Sequence, residues 1–404
     1  MLKRDRSSVG SERDGSRGLV LKRHRSSLVE LVVPHDVVEL ILERLPVESL
    51  VRFKSVSKSW KSTIESHLFQ ERQFIRRMQS RGPDVLSVFL SFSGTSDVDV
   101  PNTVDERIVL GSSVACTFRF PVTGSMICHG SCDGLLCTYC VYTPSVVVNP
   151  ATGWHQTFPL SNLQKFLADR YDKHDYVYAT PRLGFGKDKL KGTYKPVWLY
   201  NPSDFGGLDS NVTTTTCEVF DFSTNAWRYV HPASPYRVNN YHYPVYLDGS
   251  LHWLTECEEP KVLSFDLHTE TFQVISKAPI SPERDEPYKV IMCILDNRLC
   301  VCERKGLTQV IWSFDDSSSG GNKTWKKLYS LDLTGTLFWF HELNFPLAPI
   351  AILDKNKILL QGRDCLEQPM IHDLHANSYE LLFGPETSGY PVYYYQSLFS
   401  ALST

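Results

Sequence analysis

The sequence predicts a small all-α unit of three short helices followed by an all-β propeller of six blades. Three observations carry this reading. Apolar residues between Val32 and Ile64 fall at helical spacing. From about Asp84 the apolar period becomes two, the alternation of half-buried strands. Between 131 and 383 a two-part pattern recurs five times, near the spacing of a four-stranded propeller blade.

The helical unit lies in "VVPHDVVELILERLPVESLVRFKSVSKSW" (32–60). Val37, Leu40, Ile41 and Leu45 repeat at i, i+3, i+4 and i+8, one apolar helix face. Pro46 stops that helix and opens the next at its first position, where a missing N–H costs nothing. Leu50 and Phe53 line the second helix. Ser57 is placed to cap a third, along which Val56, Trp60 and Ile64 repeat at i, i+4 and i+8. So small a unit has too little core to be robust alone. Part of its apolar surface is therefore expected to face a partner.

The first half of the repeat is a tight turn between apolar strands, as in "SCDGLLCTYC", "YLDGSLHWL", "ILDNRLCVC" and "ILDKNKILL". The second half is an apolar strand, an Asp or Asn, a polar turn, then an aromatic. It reads "VVVNPATGW", "EVFDFSTNAW", "LSFDLHTETF" and "MIHDLHANSY", with a longer turn in "IWSFDDSSSGGNKTW". The markers Asn149, Asp221, Asp266, Asp315 and Asp373 can bond their own turns, and the aromatics can pack between blades. Residues 84–130 and "YPVYYYQSLFSAL" (390–402) remain; pairing them makes a sixth blade and leaves no open edge.

The boundaries follow. Residues 1–27, rich in Arg, Lys, Ser and Gly, form a disordered basic tail. The helical domain spans 28–75, a linker 76–83, and the propeller domain 84–404. "LKRHR" at 21–25 has the composition of a nuclear import signal, though a solvated tail explains it more simply.

Composition narrows the function. A net charge of −3 gives no drive toward nucleic acid. No apolar run approaches the roughly 20 residues of a membrane span, so neither partner is expected. Eleven cysteines, irregularly spaced and often inside strands, fit reduced thiols in the cytoplasm or nucleus. Cys128, Cys132, Cys137 and Cys140, with His129 nearby, lack the paired C-x2-C spacing of zinc sites and read as buried thiols; no metal is expected. "GFG" at 184–186 lacks the spacing of a phosphate loop. His252 reads as a strand residue, and Glu256, Glu258 and Glu259 as a solvated loop. No catalytic residues and no cofactor are expected.

Residues 31–71 resemble an F-box. Val33-Pro34, Asp36-Val37, Glu39-Leu40-Ile41, Arg44-Leu45-Pro46, Ser49-Leu50, Arg52-Phe53, Val56-Ser57-Lys58 and Trp60 match its pattern at many fixed offsets. Val33 and Val37 stand for Leu, and Ser57 for Cys. The rest is similar to the F-box-associated, kelch-like domain of plant F-box proteins, through "GSCDGLLC", "VVNPATG", "LGFG", "DFSTNAWR", "LDGSLHWL" and "SFDLHTETF" in that order. The resemblance implies a substrate-recognition subunit of a Skp1–cullin–F-box ubiquitin ligase. It implies a Skp1-like adaptor as partner and, through it, a cullin and a RING protein. By motif position the adaptor contacts are Pro34, Leu40, Ile41, Leu45, Pro46, Leu50, Phe53, Val56 and Trp60. A protein substrate of unknown identity would bind the propeller.

Strand order gives a face for that substrate. With strands a to d in each blade, a–b and c–d turns share one face and are short, except the long c–d turn at 315–324. The b–c loops and d–a links share the other, and include 167–182, 201–215, 231–244, 281–288 and 335–345. Long loops on a rigid scaffold carry binding, and Tyr, Trp and Arg dominate hot spots. Tyr171, Tyr178, Arg237, Tyr241 and Trp339 are therefore the substrate-face candidates. Rival readings are a propeller enzyme, a propeller receptor for a small-molecule ligand, marked by a molecule held in the central channel, and an F-box scaffold outside any ligase, marked by complexes without cullin.

Overall fold

The computed structural model describes residues 34–80, 84–92, 103–110, 113–121, 127–128, 130–175, 181–206, 214–280, 287–315, 324–336, 345–354, 356–362, 369–381 and 390–402. The basic tail, the residues 81–83 and the candidates Tyr178 and Trp339 lie outside them.

The helical unit holds α1 (His35–Leu42), α2 (Val47–Phe53), α3 (Lys58–Glu65) and α4 (His67–Ser80). Pro34 and Pro46 sit at the N-caps of α1 and α2, so Pro46 stands one residue before the first helical position expected of it. Ser57 caps α3 as its sequence predicts, its Oγ accepting from Trp60 N–H at 3.1 Å. The unit has four helices, not three, and α4 consumes residues 76–80 of the expected linker. Ser66, extended at φ −71° and ψ 136°, breaks α3 from α4. The inner face of α4 mixes Phe69 and Phe74 with buried Gln70 and Gln73. Their amides donate to Ile64 O at 3.3 Å and Leu45 O at 3.4 Å. Polar residues on a buried face dilute the apolar period that announces a helix.

The propeller begins with β1 (Asp84–Phe92), β2 (Thr103–Leu110) and β3 (Ser113–Pro121). Five four-stranded sheets of consecutive strands follow. They are β4 (Ser131–Cys132) to β5 (Leu135–Thr138), β6 (Ser145–Asn149) and β7 (Trp154–Phe158); then β8 (Leu183–Lys187), β9 (Tyr194–Tyr200), β10 (Thr216–Asp221) and β11 (Ala226–Tyr229). Next come β12 (Val245–Leu247), β13 (Ser250–Leu254), β14 (Lys261–Asp266) and β15 (Phe272–Lys277), then β16 (Val290–Leu295), β17 (Arg298–Lys305), β18 (Thr308–Asp315) and β19 (Thr324–Asp332). The fifth is β20 (Ala348–Asp354), β21 (Lys357–Gln361), β22 (Met370–Asp373) and β23 (Ser378–Leu381). A further four-stranded sheet is composite: β24 (Tyr390–Tyr394) pairs antiparallel with β1, Leu86 opposite Val392, giving the order β24-β1-β2-β3. The innermost strands β4, β8, β12, β16, β20 and β24 neighbour one another around a closed circuit.

The repeat markers do what their chemistry suggests. All five end the third strand of their sheet. Asp266 Oδ1 accepts from the His268 and Thr269 amides at 2.8 and 2.7 Å, and Asp373 Oδ1 from His375 and Ala376 at 2.9 Å each. The aromatics reach the preceding blade. Trp227 Nε1 donates to Pro159 O at 2.6 Å, Trp325 Nε1 to Lys277 O at 2.9 Å, and Tyr379 Oη to Asp332 O at 2.8 Å.

The Asp-Gly turns place both central residues at positive φ, as two-residue hairpins require. Asp133 and Gly134 take φ 51° and 78°. A Cβ on Gly134 would lie 2.3 Å from Tyr395 O, whereas one on Gly249 (φ +86°) would lie no nearer than 3.6 Å to Lys189. Gly134→Ala is therefore expected to cost about 2–4 kcal/mol, backbone strain plus overpacking, and Gly249→Ala only the strain, about 1 kcal/mol. Urea unfolding of the two variants tests this; equal losses would exclude the contact with Tyr395.

His252 on β13 is buried between Val245 and Ser264 of the flanking strands. Burial lowers its imidazole pKa from the usual 6.5 to about 4. The unfolded chain therefore binds a proton in the window between those values while the native chain does not. Stability from this group is fully present above pH 6.5 and falls as pH drops toward 4, by about 3 kcal/mol in all. Urea midpoints across that window should decline less steeply in His252→Gln; identical slopes would count against the burial account.

Candidate functional site

The helical unit packs one way and is open the other. Leu42, Val47, Leu50, Ile64 and Phe69 form its core together with Leu398 from beyond β24. Arg72 of α4 clamps Glu39 at 2.7 Å and Glu43 at 2.9 Å, fixing the orientation of α1. The other face of α1 is left to solvent, with Leu40 49% and Ile41 52% exposed. Val56, just past α2, is 59% exposed, and Pro34 and Pro46 are exposed too. Leu45, Phe53 and Trp60 are half-buried, and the Phe53 and Trp60 rings meet edge-on at 5.5 Å. Leu50 differs from the other adaptor-contact candidates. It is fully buried, so it supports the face from beneath and presents nothing on it.

The unit is seated on the short-turn side of the propeller. Phe74 meets Phe399 at 5.4 Å and Tyr395 at 6.3 Å, and Gln396 Nε2 donates to Glu48 Oε1 at 3.0 Å. Ala151, in the turn between β6 and β7, packs on the same core. The long-loop side is left uncovered by the helices.

On that side the expected loop 167–182 is partly helix, α5 (Asn162–Asp172). A capping box at Ser161 and Gln164 starts it, and the buried Glu218 carboxylate accepts from the Asn162 and Leu163 amides at 2.9 and 3.0 Å. Burial raises the Glu218 pKa, opposed by those same amides. The S-x-x-Q cue was present in the sequence. Tyr171, near the end of α5, is partly exposed, its ring 4.7 Å from Tyr142. Tyr241 is 53% exposed.

Arg237, still partly exposed, is engaged within the chain. Its guanidinium pairs with Asp204 at 2.6 Å and Glu256 at 3.0 Å. Asp204 also accepts from Asn240 at 2.6 Å. Arg237 therefore ties the 201–206 segment to the 237–240 segment. Arg170 of α5 reaches Gly206 O at 2.6 Å. These bonds link the segments that carry Tyr171 and Tyr241 through residues 201–206. Sequence reasoning passed over Tyr243, which stacks under the Arg182 guanidinium at 4.5 Å, and the Tyr288–Phe345 pair at 5.5 Å. "YHYP" at 241–244 was the available signal.

The four cysteines weighed for zinc are all buried, and burial pushes the thiols of Cys132 and Cys137 well above the ordinary thiol range.

A helical module seated on one mouth of a closed β-propeller defines a two-part, helix-capped propeller protein. Two family models match it: the F-box domain over residues 31–72 and the F-box associated beta propeller domain over residues 84–398. Similar proteins from Arabidopsis thaliana include F-box protein At1g11270, 65% identical over 80% of this chain and 100% of its own length. F-box protein At2g34280 is 47% identical (92% and 100% covered), and F-box/LRR-repeat/kelch-repeat protein At1g09650 is 48% identical (94% and 99%). The chain belongs to the F-box proteins that carry an F-box-associated β-propeller.

Proposed function

We propose that this protein is the substrate-recognition subunit of a Skp1–cullin–F-box ubiquitin ligase. One observation carries the reading: an F-box whose inner side is locked onto the propeller while Leu40, Ile41 and Pro46 stand open to a partner. An apolar helix face fitting a groove is a common mode of recognition. The F-box docks on a Skp1-type adaptor and, through it, on cullin and a RING protein. The long-loop face holds a protein substrate. The chain supplies positioning and no chemistry of its own. The nine cysteines whose side chains are described are all free thiols, which supports a reducing setting, cytoplasm or nucleus.

Mixing the chain with a Skp1-type adaptor, cullin and RING protein should give one stable complex on size exclusion. A chain that elutes apart from all three would overturn the reading, and ubiquitin discharge by the chain without a RING protein would contradict the non-catalytic role. For the substrate face, Tyr171→Ala with Tyr241→Ala is expected to cut proximity labelling of substrate by about tenfold or more, since aromatic anchors each contribute roughly 1–2 kcal/mol. The comparison is made in a chain that cannot dock on the adaptor, so that captured substrate survives. Loss of labelling only on changing the short turns would move the site to the other face.

A further inference from the structure

The channel through the ring encloses a cavity of about 980 Å³. The innermost strands make its wall, with Phe185, Ile291, Cys293, Ala348, Ile350 and Val392 among the lining residues. Phe74, Ile75 and Met78 of α4 line the end on the short-turn side, where the helical unit sits. Tyr241, Tyr243, Tyr288 and Phe345 line the other end, on the long-loop side. The F-box thus partly covers the short-turn end of the channel, while aromatic side chains rim the other.

Size and lining match small-molecule sites, which run roughly 300–1,000 Å³ and are mainly apolar with a few polar groups. An apolar wall of this extent gives water few partners and gains dispersion contacts from an apolar occupant. The charges are informative. Among the described lining residues they cluster at the F-box end, and all but Glu71 sit in ion pairs with Lys, Arg or Asp. Lys187 pairs with Asp133 at 2.9 Å, Lys189 with Asp248, and Asp296 with Arg298 at 3.1 Å; Glu71 lies 3.6 Å from His67. Among the described lining residues, the wall beyond the F-box end carries no Asp, Glu, Lys or Arg, so burying an unpaired ligand charge there would be costly. Polar hydroxyls stand at the mouth, on Tyr241, Tyr243 and Tyr288.

We propose that the channel is a binding site for a neutral, largely hydrocarbon small molecule, entering between the mouth tyrosines with a hydroxyl or carbonyl group left at that rim. The apolar body lies against the inner strands and reaches the α4 side chains. This site is separate from adaptor docking through α1, and each can fail without the other.

The test uses the full chain and the neutral dye Nile red. Saturable binding of one dye per chain is expected. Ala348→Phe and Ile350→Trp, which fill the channel from β20, should each weaken it by at least about tenfold. Leu190→Phe, on an exposed turn and not among the lining residues, should bind as the parent does. A long-chain alcohol should displace the dye at least about tenfold better than the carboxylate of equal length. The proposal is overturned if binding is not saturable, if the filling variants melt normally and bind unchanged, or if the carboxylate competes as well as the alcohol. Should a filling variant not fold, the parent's stoichiometry and the competition series decide.

Discussion

Replacing Leu40 and Ile41 together by aspartate is expected to abolish binding to a Skp1-type adaptor while barely moving the melting temperature. Both side chains are about half exposed and neither belongs to the helical core, so the folded chain loses little. In the complex the two positions would be desolvated, and two carboxylates would meet an apolar groove. Truncated anchors at the centre of an interface each cost about 2 kcal/mol or more, and introduced charge adds to that. A loss of at least about 100-fold in affinity follows, readable by calorimetry with the purified adaptor. Leu50→Ala is the matching control. Leu50 is fully buried, so truncation should cost about 2–5 kcal/mol of stability and weaken binding only as the unit loosens. A double aspartate variant that binds within threefold of the parent would place the docking face elsewhere.

The second large effect is expected at Asn149. This side chain is fully buried at the end of β6. Its amide donates to Ser397 O at 3.0 Å and Phe399 O at 2.8 Å, and its Oδ1 accepts from Ala151 N at 3.0 Å. One residue thus joins the first consecutive blade to the segment on which the F-box sits. Asn149→Leu keeps the volume and strips all three bonds, leaving buried backbone groups unpaired at about 1–3 kcal/mol each. A total loss of about 3–5 kcal/mol is expected in urea unfolding. Hydrogen exchange should also quicken in α2 and α3, because Leu398 shares their core. Destabilisation without faster exchange in those helices would separate the seat from the propeller core.

Asn149 also shows how much of this molecule could be read in advance. The other four repeat copies carry Asp at this position, and an Asp suffices to accept from its own turn. Only an amide can also donate to two carbonyls, so the departure marks the joint. That was legible as a difference but not as a contact, because the partners lie some 250 residues away in sequence. Helix starts at Pro46 and Ser57, the Asp-Gly turns and the marker strands were legible because each is a local rule. Helix α4 was not, since Gln70 and Gln73 occupy its buried face. Nor was the role of Arg237: an arginine in a long loop looks like a recognition residue until Asp204 and Glu256 are placed beside it. Leu50 was assigned by motif position, and only packing distinguishes the residue that forms a face from the one beneath it.

Strand β24 closes the composite sheet and leads directly into Tyr395, Gln396, Leu398 and Phe399, the seat of the F-box. Both follow every other strand in the order of synthesis. The F-box precedes the propeller in the chain, yet its seat is made largely by residues that follow the propeller's last strand. A message cut short anywhere upstream of Tyr390 yields an open ring and unseated helices together, so damaged copies would differ from intact ones in fold as well as in length. Ring closure and the seating of α4 over one end of the channel thus depend on the same short segment, residues 390–399.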